Sequence, residues 1–158
     1  MQKKGSHEYG KKHGEWAYWS LEGTQIKNGM YDKGKQTGEW RKFRNDGTLE
    51  RIERYVDGLA DGTWQGFHSD GTTCHWRREF ARGTRNGKWE SFYANGKPQL
   101  LETFKEDKHH GVSQSWDENG NLSGQGEFKN GRREGAFRSF QDGKLIEEEV
   151  WVDGKRKS

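Results

Sequence analysis

Cys74 and His75 stand side by side, with His68 six residues before the cysteine, and a thiol among imidazoles is raw material for a zinc site or an activated nucleophile. Zinc asks for four tetrahedral ligands, usually in paired spacings. Neighbours on a strand point to opposite faces, so Cys74 and His75 do not share one ion. A nucleophile needs an adjacent base that a third group orients; nothing marks Cys74 as activated, and no serine stands in a Gly-x-Ser-x-Gly turn. Glu147-Glu148-Glu149 reads as a solvated charge run and His109-His110 as a solvated turn. Gly124-Gln125-Gly126 is not followed by a helical pattern, so it does not qualify as a dinucleotide loop. The expectation is a chain without catalytic residues, metal or cofactor, and not an enzyme.

The elements that carry these residues are set by an internal repeat. Glycines at Gly14, Gly38, Gly62, Gly87, Gly111 and Gly135 recur in steps of 24, 24, 25, 24 and 24. Two residues after each stands Trp16, Trp40, Trp64, Trp89, Ser113 or Phe137, and three later Trp19, Phe43, Phe67, Phe92, Trp116 or Phe140. A turn dipeptide follows (Glu22-Gly23, Asp46-Gly47, Asp70-Gly71, Asn95-Gly96, Asn119-Gly120, Asp142-Gly143), then a third aromatic: Tyr31, Tyr55, Phe80, Phe104, Phe128, Trp151. Asp-Gly and Asn-Gly suit type I′ hairpin turns because those residues tolerate positive φ. Each unit therefore reads as strand, turn, strand, and links such as Gly34-x-x-x-Gly38 join one unit to the next. Residues 1–158 are one array, with repeats near 10–33, 34–57, 58–82, 83–106, 107–130 and 131–153, and a short basic tail, Lys155-Arg156-Lys157. The fold class is all-β: a single-layer antiparallel sheet of tandem hairpins, about twelve or thirteen strands, with essentially no helix.

Composition fits this reading. Only 27% of residues are hydrophobic and mean hydropathy is -1.38, yet there are 8 Trp, 5 Tyr and 8 Phe, so burial must come from rings, not from a Leu/Ile/Val core. Rings three apart on a flat strand face opposite sides, so either both faces carry rings or the strand bends between them. One cysteine excludes an intramolecular disulfide framework, and no apolar stretch reaches signal-peptide or membrane-span length, which makes the cytoplasm the expected compartment.

Gly-Glu-Trp with a glycine further on, followed by Tyr-x-x-Gly-Lys, resembles the variant MORN repeat of bacteria over about Gly10 to Gly154. The resemblance implies an elongated, twisted, single-layer sheet and function by binding. Bacterial members of that variant family are commonly described as antitoxins or immunity proteins, and eukaryotic MORN proteins as scaffolds or lipid-headgroup binders. The classical repeat is shorter, with more closely spaced glycines. No catalytic residues are shared across the family.

Residues that break the repeat are the candidates for contact. Tyr9, Tyr18, Trp76 and Tyr93 are aromatics outside the phased slots; the equivalents of Tyr18 are Lys42, Gly66, Ser91, Ser115 and Ser139, which suit solvent. Between Gly71 and Gly83 the chain has one residue more than elsewhere, which places a β-bulge within Thr72–Arg82. Arg77, Arg78, Arg82, Arg85 and Lys88 stand there against one acid, Glu79, with Arg51 and Arg54 a repeat earlier. Trp76, Arg77, Arg78, His75, Tyr93, Tyr18, Arg51 and Arg54 are accordingly the expected partner-binding residues. Net charge is only +3 with both signs interspersed, which disfavours nucleic acid. The leading expectation is a non-enzymatic protein-binding scaffold, an antitoxin or immunity protein covering a toxin. The alternatives are a module on anionic phospholipid headgroups, without membrane-spanning elements, and a self-assembling scaffold.

Overall fold

A computed structural model describes residues 1–158. The chain contains no helix and forms two compact units, Met1–Cys74 with Phe80–Gly83, and His75–Glu79 with Thr84–Ser158. The first holds β1 (Gln2–Glu8), β2 (Lys11–Trp19), β3 (Gln25–Asp32), β4 (Lys35–Phe43), β5 (Leu49–Val56), β6 (Leu59–Ala60) and β7 (Gly62–Phe67). Strand β8 (Cys74–Ala81) divides its residues between the units. The second unit holds β9 (Thr84–Phe92), β10 (Pro98–Lys105), β11 (Lys108–His109), β12 (Gly111–Trp116), β13 (Leu122–Lys129), β14 (Arg132–Gln141), β15 (Lys144–Val152) and β16 (Lys155–Arg156). Within each unit the strands pair antiparallel in hairpin order. The all-β hairpin reading therefore holds, but the strand count is higher than twelve or thirteen. Segments β6 and β11 only prolong β7 and β12, and β1 and β16 are additional strands that lie outside the repeats expected near 10–153, β16 within the basic tail.

The turn assignment changes. Two successive positive φ angles, the mark of a type I′ turn, occur at the links: Lys33 (47°) and Gly34 (87°), Asp57 and Gly58, Arg82 and Gly83, Asn130 and Gly131. The Asp-Gly and Asn-Gly turns are of another kind, except Asp142-Gly143. At Asp46-Gly47 only the glycine has positive φ, and the Asp46 carboxylate accepts hydrogen bonds from the Thr48 N–H at 2.9 Å and its hydroxyl at 2.7 Å. Side-chain capping of the backbone two residues on holds this turn, so Asp keeps an ordinary φ. The link turns instead stack on one another. The N–H of Gly34 donates to the carbonyl of Lys12 (2.8 Å), Gly58 to Gln36 (2.9 Å) and Gly131 to His109 (2.8 Å), each reaching the equivalent turn one repeat back. The residue inserted in the third repeat goes into the Asp70-Gly71 hairpin turn, not into a strand bulge. His68 N–H bonds the Thr73 carbonyl where other repeats span one residue fewer, and Asp70 caps the N–H groups of Thr72 and Thr73 at 2.9 Å.

Rings lie on both faces, but only one face builds the core. In the first unit Tyr31 packs between Trp16 (5.9 Å between centroids) and Trp40 (5.0 Å), and Trp64 between Tyr55 (5.2 Å) and Phe80 (4.9 Å). In the second, Trp89 meets Phe104 at 5.1 Å and Phe128 meets Phe137 at 5.3 Å. Trp40 is fully buried although no second layer covers it, because the indole lies flat on Gly29 of the neighbouring strand. A Cβ added to Gly29 would sit 2.1 Å from that ring, and one at Gly5 would sit 2.3 Å from Trp16. The indole N–H then donates to a carbonyl ten residues back, Met30 for Trp40 and Ser6 for Trp16, both at 3.1 Å. Positive φ at Gly14 (71°) and Gly38 (65°), two residues before each Trp, accompanies the register shift that turns the ring onto the glycine. The second slot, Trp19 and its equivalents, faces the other side beside a further register shift on the partner strand.

The fifth repeat has Ser113 where a ladder ring is due, and His109 supplies the replacement. Its imidazole lies 4.2 Å from Phe104 and 5.0 Å from Phe128, bridging the ladder. It is thus a core contact and not a solvated turn. In other repeats the same slot places a cation over the rings: Lys12 over Trp16 and Tyr31, Arg85 over Phe104, Arg133 over Phe137 and Trp151.

Candidate functional site

Strand β8 alternates as its period of two requires. Cys74, Trp76, Arg78 and Phe80 share the ladder face, and His75, Arg77 and Glu79 the other. The two faces differ in how their charges are satisfied. Glu79 accepts the Lys88 N–H at 2.8 Å, and Arg77 pairs with Glu90 at 3.2 Å while lying over Phe92 at 5.5 Å. Arg78 has neither an ion pair nor a carboxylate partner. Its guanidinium lies between two indoles, 4.5 Å from the Trp76 ring and 4.7 Å from the Trp89 ring. Burial lowers its pKa from the usual arginine value, and no charge offsets that shift. A planar cation held between aromatic faces retains free N–H donors, the geometry that receives a carboxylate or phosphate.

The expected basic band is largely neutralised. Arg85 pairs with Asp107 at 3.2 Å, Arg54 with Glu39 at 3.2 Å, and Arg51 with Glu50 at 2.9 Å and Glu53 at 2.8 Å. Glu39 lies on the neighbouring strand, Asp107 in the turn after β10, and Glu50 and Glu53 on β5 itself, so counting the basic residues alone overstated the field. Tyr18 is not an exposed anchor. It is 8% exposed, packed between Trp16 and Trp40, and its hydroxyl accepts a hydrogen bond from Lys12 Nζ at 2.9 Å. Tyr93 ties one hairpin to the next, donating its hydroxyl to the Trp116 carbonyl at 2.8 Å. His75 is exposed and Trp76 half-buried. Of the eight candidates, Trp76 and Arg78 come together on one face of β8, His75 and Arg77 lie on its other face, and the rest are occupied by structural contacts.

The sequence reading also missed Glu53, 2% exposed, which accepts hydrogen bonds from Lys42 (3.0 Å), Arg51 (2.8 Å) and Tyr55 (2.8 Å). The signal was present: Glu53 occupies the repeat position of Gly5 and Gly29, where a ring otherwise lies on the backbone.

Tandem antiparallel hairpins held by stacked rings, carrying an unpaired cation on one face, have the form of a binding or scaffold module. The family model of the MORN repeat variant matches residues 85–106 and 110–130, so these two consecutive repeats are similar to that family. No curated protein matches the chain. No helix is long and apolar enough to cross a membrane.

Proposed function

We propose that this chain is a non-enzymatic protein-binding module that docks an acidic partner surface on the Trp76–Arg78–Trp89 face, and that it acts in the cytoplasm as an antitoxin or immunity protein by covering its partner. The observation that carries the docking reading is Arg78, half-buried between two indoles and lacking a carboxylate. Trp and Arg dominate binding energy where they are packed and pre-positioned. Here the desolvation of the guanidinium is already incurred in the free protein, so a partner carboxylate gains its charge-assisted hydrogen bonds at small further cost. The family likeness of the neighbouring repeats supports a binding role and motivates the antitoxin reading.

The test is capture of a partner from source cells under a high-salt wash, followed by reversal through Arg78→Glu and Trp76→Ala. Loss of a buried charge pair costs about 2–5 kcal/mol, or roughly 30-fold or more in affinity. Stoichiometric capture lost in both variants, with an unchanged far-ultraviolet CD spectrum and rescue of cells expressing the partner alone, supports the reading. A captured partner indifferent to both substitutions refutes the site. Binding only to anionic vesicles would replace the protein partner with a lipid surface.

A further inference from the structure

The face opposite the ladder departs from the repeat in the first unit. In other repeats the second-slot aromatic stands across from an apolar residue: Phe43 from Leu49, Phe92 from Pro98, Trp116 from Leu122 and Phe140 from Leu145. Trp19 stands across from Gln25 instead. Two residues before Trp19 comes Ala17, where the other repeats carry the long side chains of Arg41, Gln65, Glu90, Gln114 and Arg138. The short side chain leaves a trough of about 770 Å³ beside Trp19, lined also by Gln25 and by Asn28, which lies directly opposite Ala17. The polar groups around this trough are unengaged. Ladder indoles donate their N–H to a carbonyl ten residues back, at Ser6, Met30, Arg54 and Glu79, whereas the Trp19 N–H has no acceptor and no ring packs on its indole. Gln25 and Asn28 are half-buried, and neither side-chain amide has a partner within the chain. Polar groups withdrawn from water are normally paired, so two such amides beside an uncovered indole call for an explanation. Charge does not supply one, because Lys4 and Arg41 are balanced by Glu15 and Glu39 along the same trough.

We infer that this trough binds a neutral saccharide built of flat, equatorially substituted pyranose units. The axial C–H bonds of such a ring form an apolar face that packs on an indole, while its hydroxyls point outward around the rim. A side-chain amide presents a donor and an acceptor side by side, which matches two adjacent hydroxyls, each of them donor and acceptor. Gln25 and Asn28 supply two such amides, and the Glu15 carboxylate adds an acceptor that no group in the chain uses. The balance of charge favours neither an anion nor a cation. The volume falls within the range of about 300–1,000 Å³ typical of small-ligand sites, whereas a folded partner asks for a broad surface of about 800 Å². Arg78 takes no part in this site, so it stands apart from the docking face proposed above.

Titration with cellotetraose and with the tetramer of N-acetylglucosamine, followed by calorimetry and tryptophan fluorescence, tests the trough directly. At least one should bind saturably and one to one, with equal affinity at low and high chloride, because no net charge is engaged. Ala17→Gln installs the residue that Gln65 and Gln114 represent in other repeats and should fill the trough. Gln25→Leu should restore the apolar pairing and remove an amide. Each should weaken binding about tenfold or more. Both variants return to residues the repeat itself uses, so their CD melts should match or exceed that of the parent, and a lost site would not reflect unfolding. Arg78→Glu should leave saccharide binding unchanged. No saturation of either probe by about 20 mM, far above the ~1 mM of a weak site, overturns the inference, as does binding indifferent to Ala17→Gln and Gln25→Leu. Affinity that fades as chloride rises would assign the trough to a charged ligand. A captured protein lost in Ala17→Gln, with neither saccharide bound, would assign it to a protein surface; either result also overturns the inference.

Discussion

Gly29→Ala tests how a one-layer sheet buries a tryptophan. The new Cβ would lie 2.1 Å from Trp40 Cδ2 and 2.4 Å from Cε2. Carbon atoms need about 3.5–4.0 Å, so the indole must retreat by roughly 1.5 Å. It has little room, because Tyr31 stands 5.0 Å away on one side and the Nε1 hydrogen bond to Met30 at 3.1 Å fixes the ring edge. Overpacking costs about 1–3 kcal/mol and loss of that hydrogen bond about 1 kcal/mol more. Trp40→Ala alone should cost about 3–5 kcal/mol, since the ring is fully buried. In the double variant the small side chain occupies space the indole has vacated. The φ of Gly29 is not positive, so alanine there should be neutral or stabilising by about 0.5 kcal/mol. The cycle therefore predicts a coupling of about 2–4 kcal/mol between positions 29 and 40. Urea titrations followed by far-ultraviolet CD measure it as shifts of midpoint at constant slope. If Gly29→Ala costs the same with and without Trp40, within about 0.5 kcal/mol, the two sites are independent and the stacking argument fails.

Two further outcomes follow from the repeat slots and their caps. His109→Ala should lower stability by about 1–3 kcal/mol, because two ring contacts are lost, while His109→Arg should stay near the parent, as Arg85 and Arg133 fill the same slot; equal loss in both would remove the bridging role. The Asp70 carboxyl is held down to about 2 by the Thr73 hydroxyl first, then by the N–H groups of Thr72 and Thr73. Because the folded pKa is the lower one, its contribution is complete above the ordinary value of 3.8 and fades as pH falls toward about 2. Protection of the Thr72 and Thr73 amides against exchange should drop across that window and become insensitive to it in Asp70→Asn; an unchanged acid response in the variant would assign it elsewhere.

The repeat, the absence of helix and the hairpin order were legible because glycine and aromatic phasing encodes them locally. The turn types were not. Asp46-Gly47 and Lys33-Gly34 differ in whether a side chain caps the turn, and dipeptide preference alone points to the wrong one. Pairing was the other hidden quantity. Arg85 meets Asp107 and Arg54 meets Glu39, fifteen or more residues apart, so a linear charge count reads them as unopposed. Tyr18 looked exposed because its repeat equivalents suit solvent, yet its ring lies on the core face, 6.1 Å from Trp16 and 6.4 Å from Trp40. Ser113 and His109 were both visible as exceptions, but only the fold shows that the second compensates the first.

Arg78 rests on one physical device. It lies over an indole, Trp89 at 4.7 Å, and has no carboxylate at ion-pair distance. A ring face attracts a cation through its quadrupole but carries no net charge, so it orders the side chain without cancelling the field. Ordering such a long side chain on binding otherwise costs about 0.5–1.5 kcal/mol, and here it is largely complete beforehand. Arg77 shows the contrast: it also lies over a ring, Phe92, but Glu90 already takes its charge. Cations over rings are common along this ladder because they cap it. Lys12 lies over Trp16 and Tyr31 without an acid but already donates to the Tyr18 hydroxyl at 2.9 Å, whereas Arg78 has no such acceptor, which is why Arg78 and not the larger set of basic residues marks the docking face proposed for this protein.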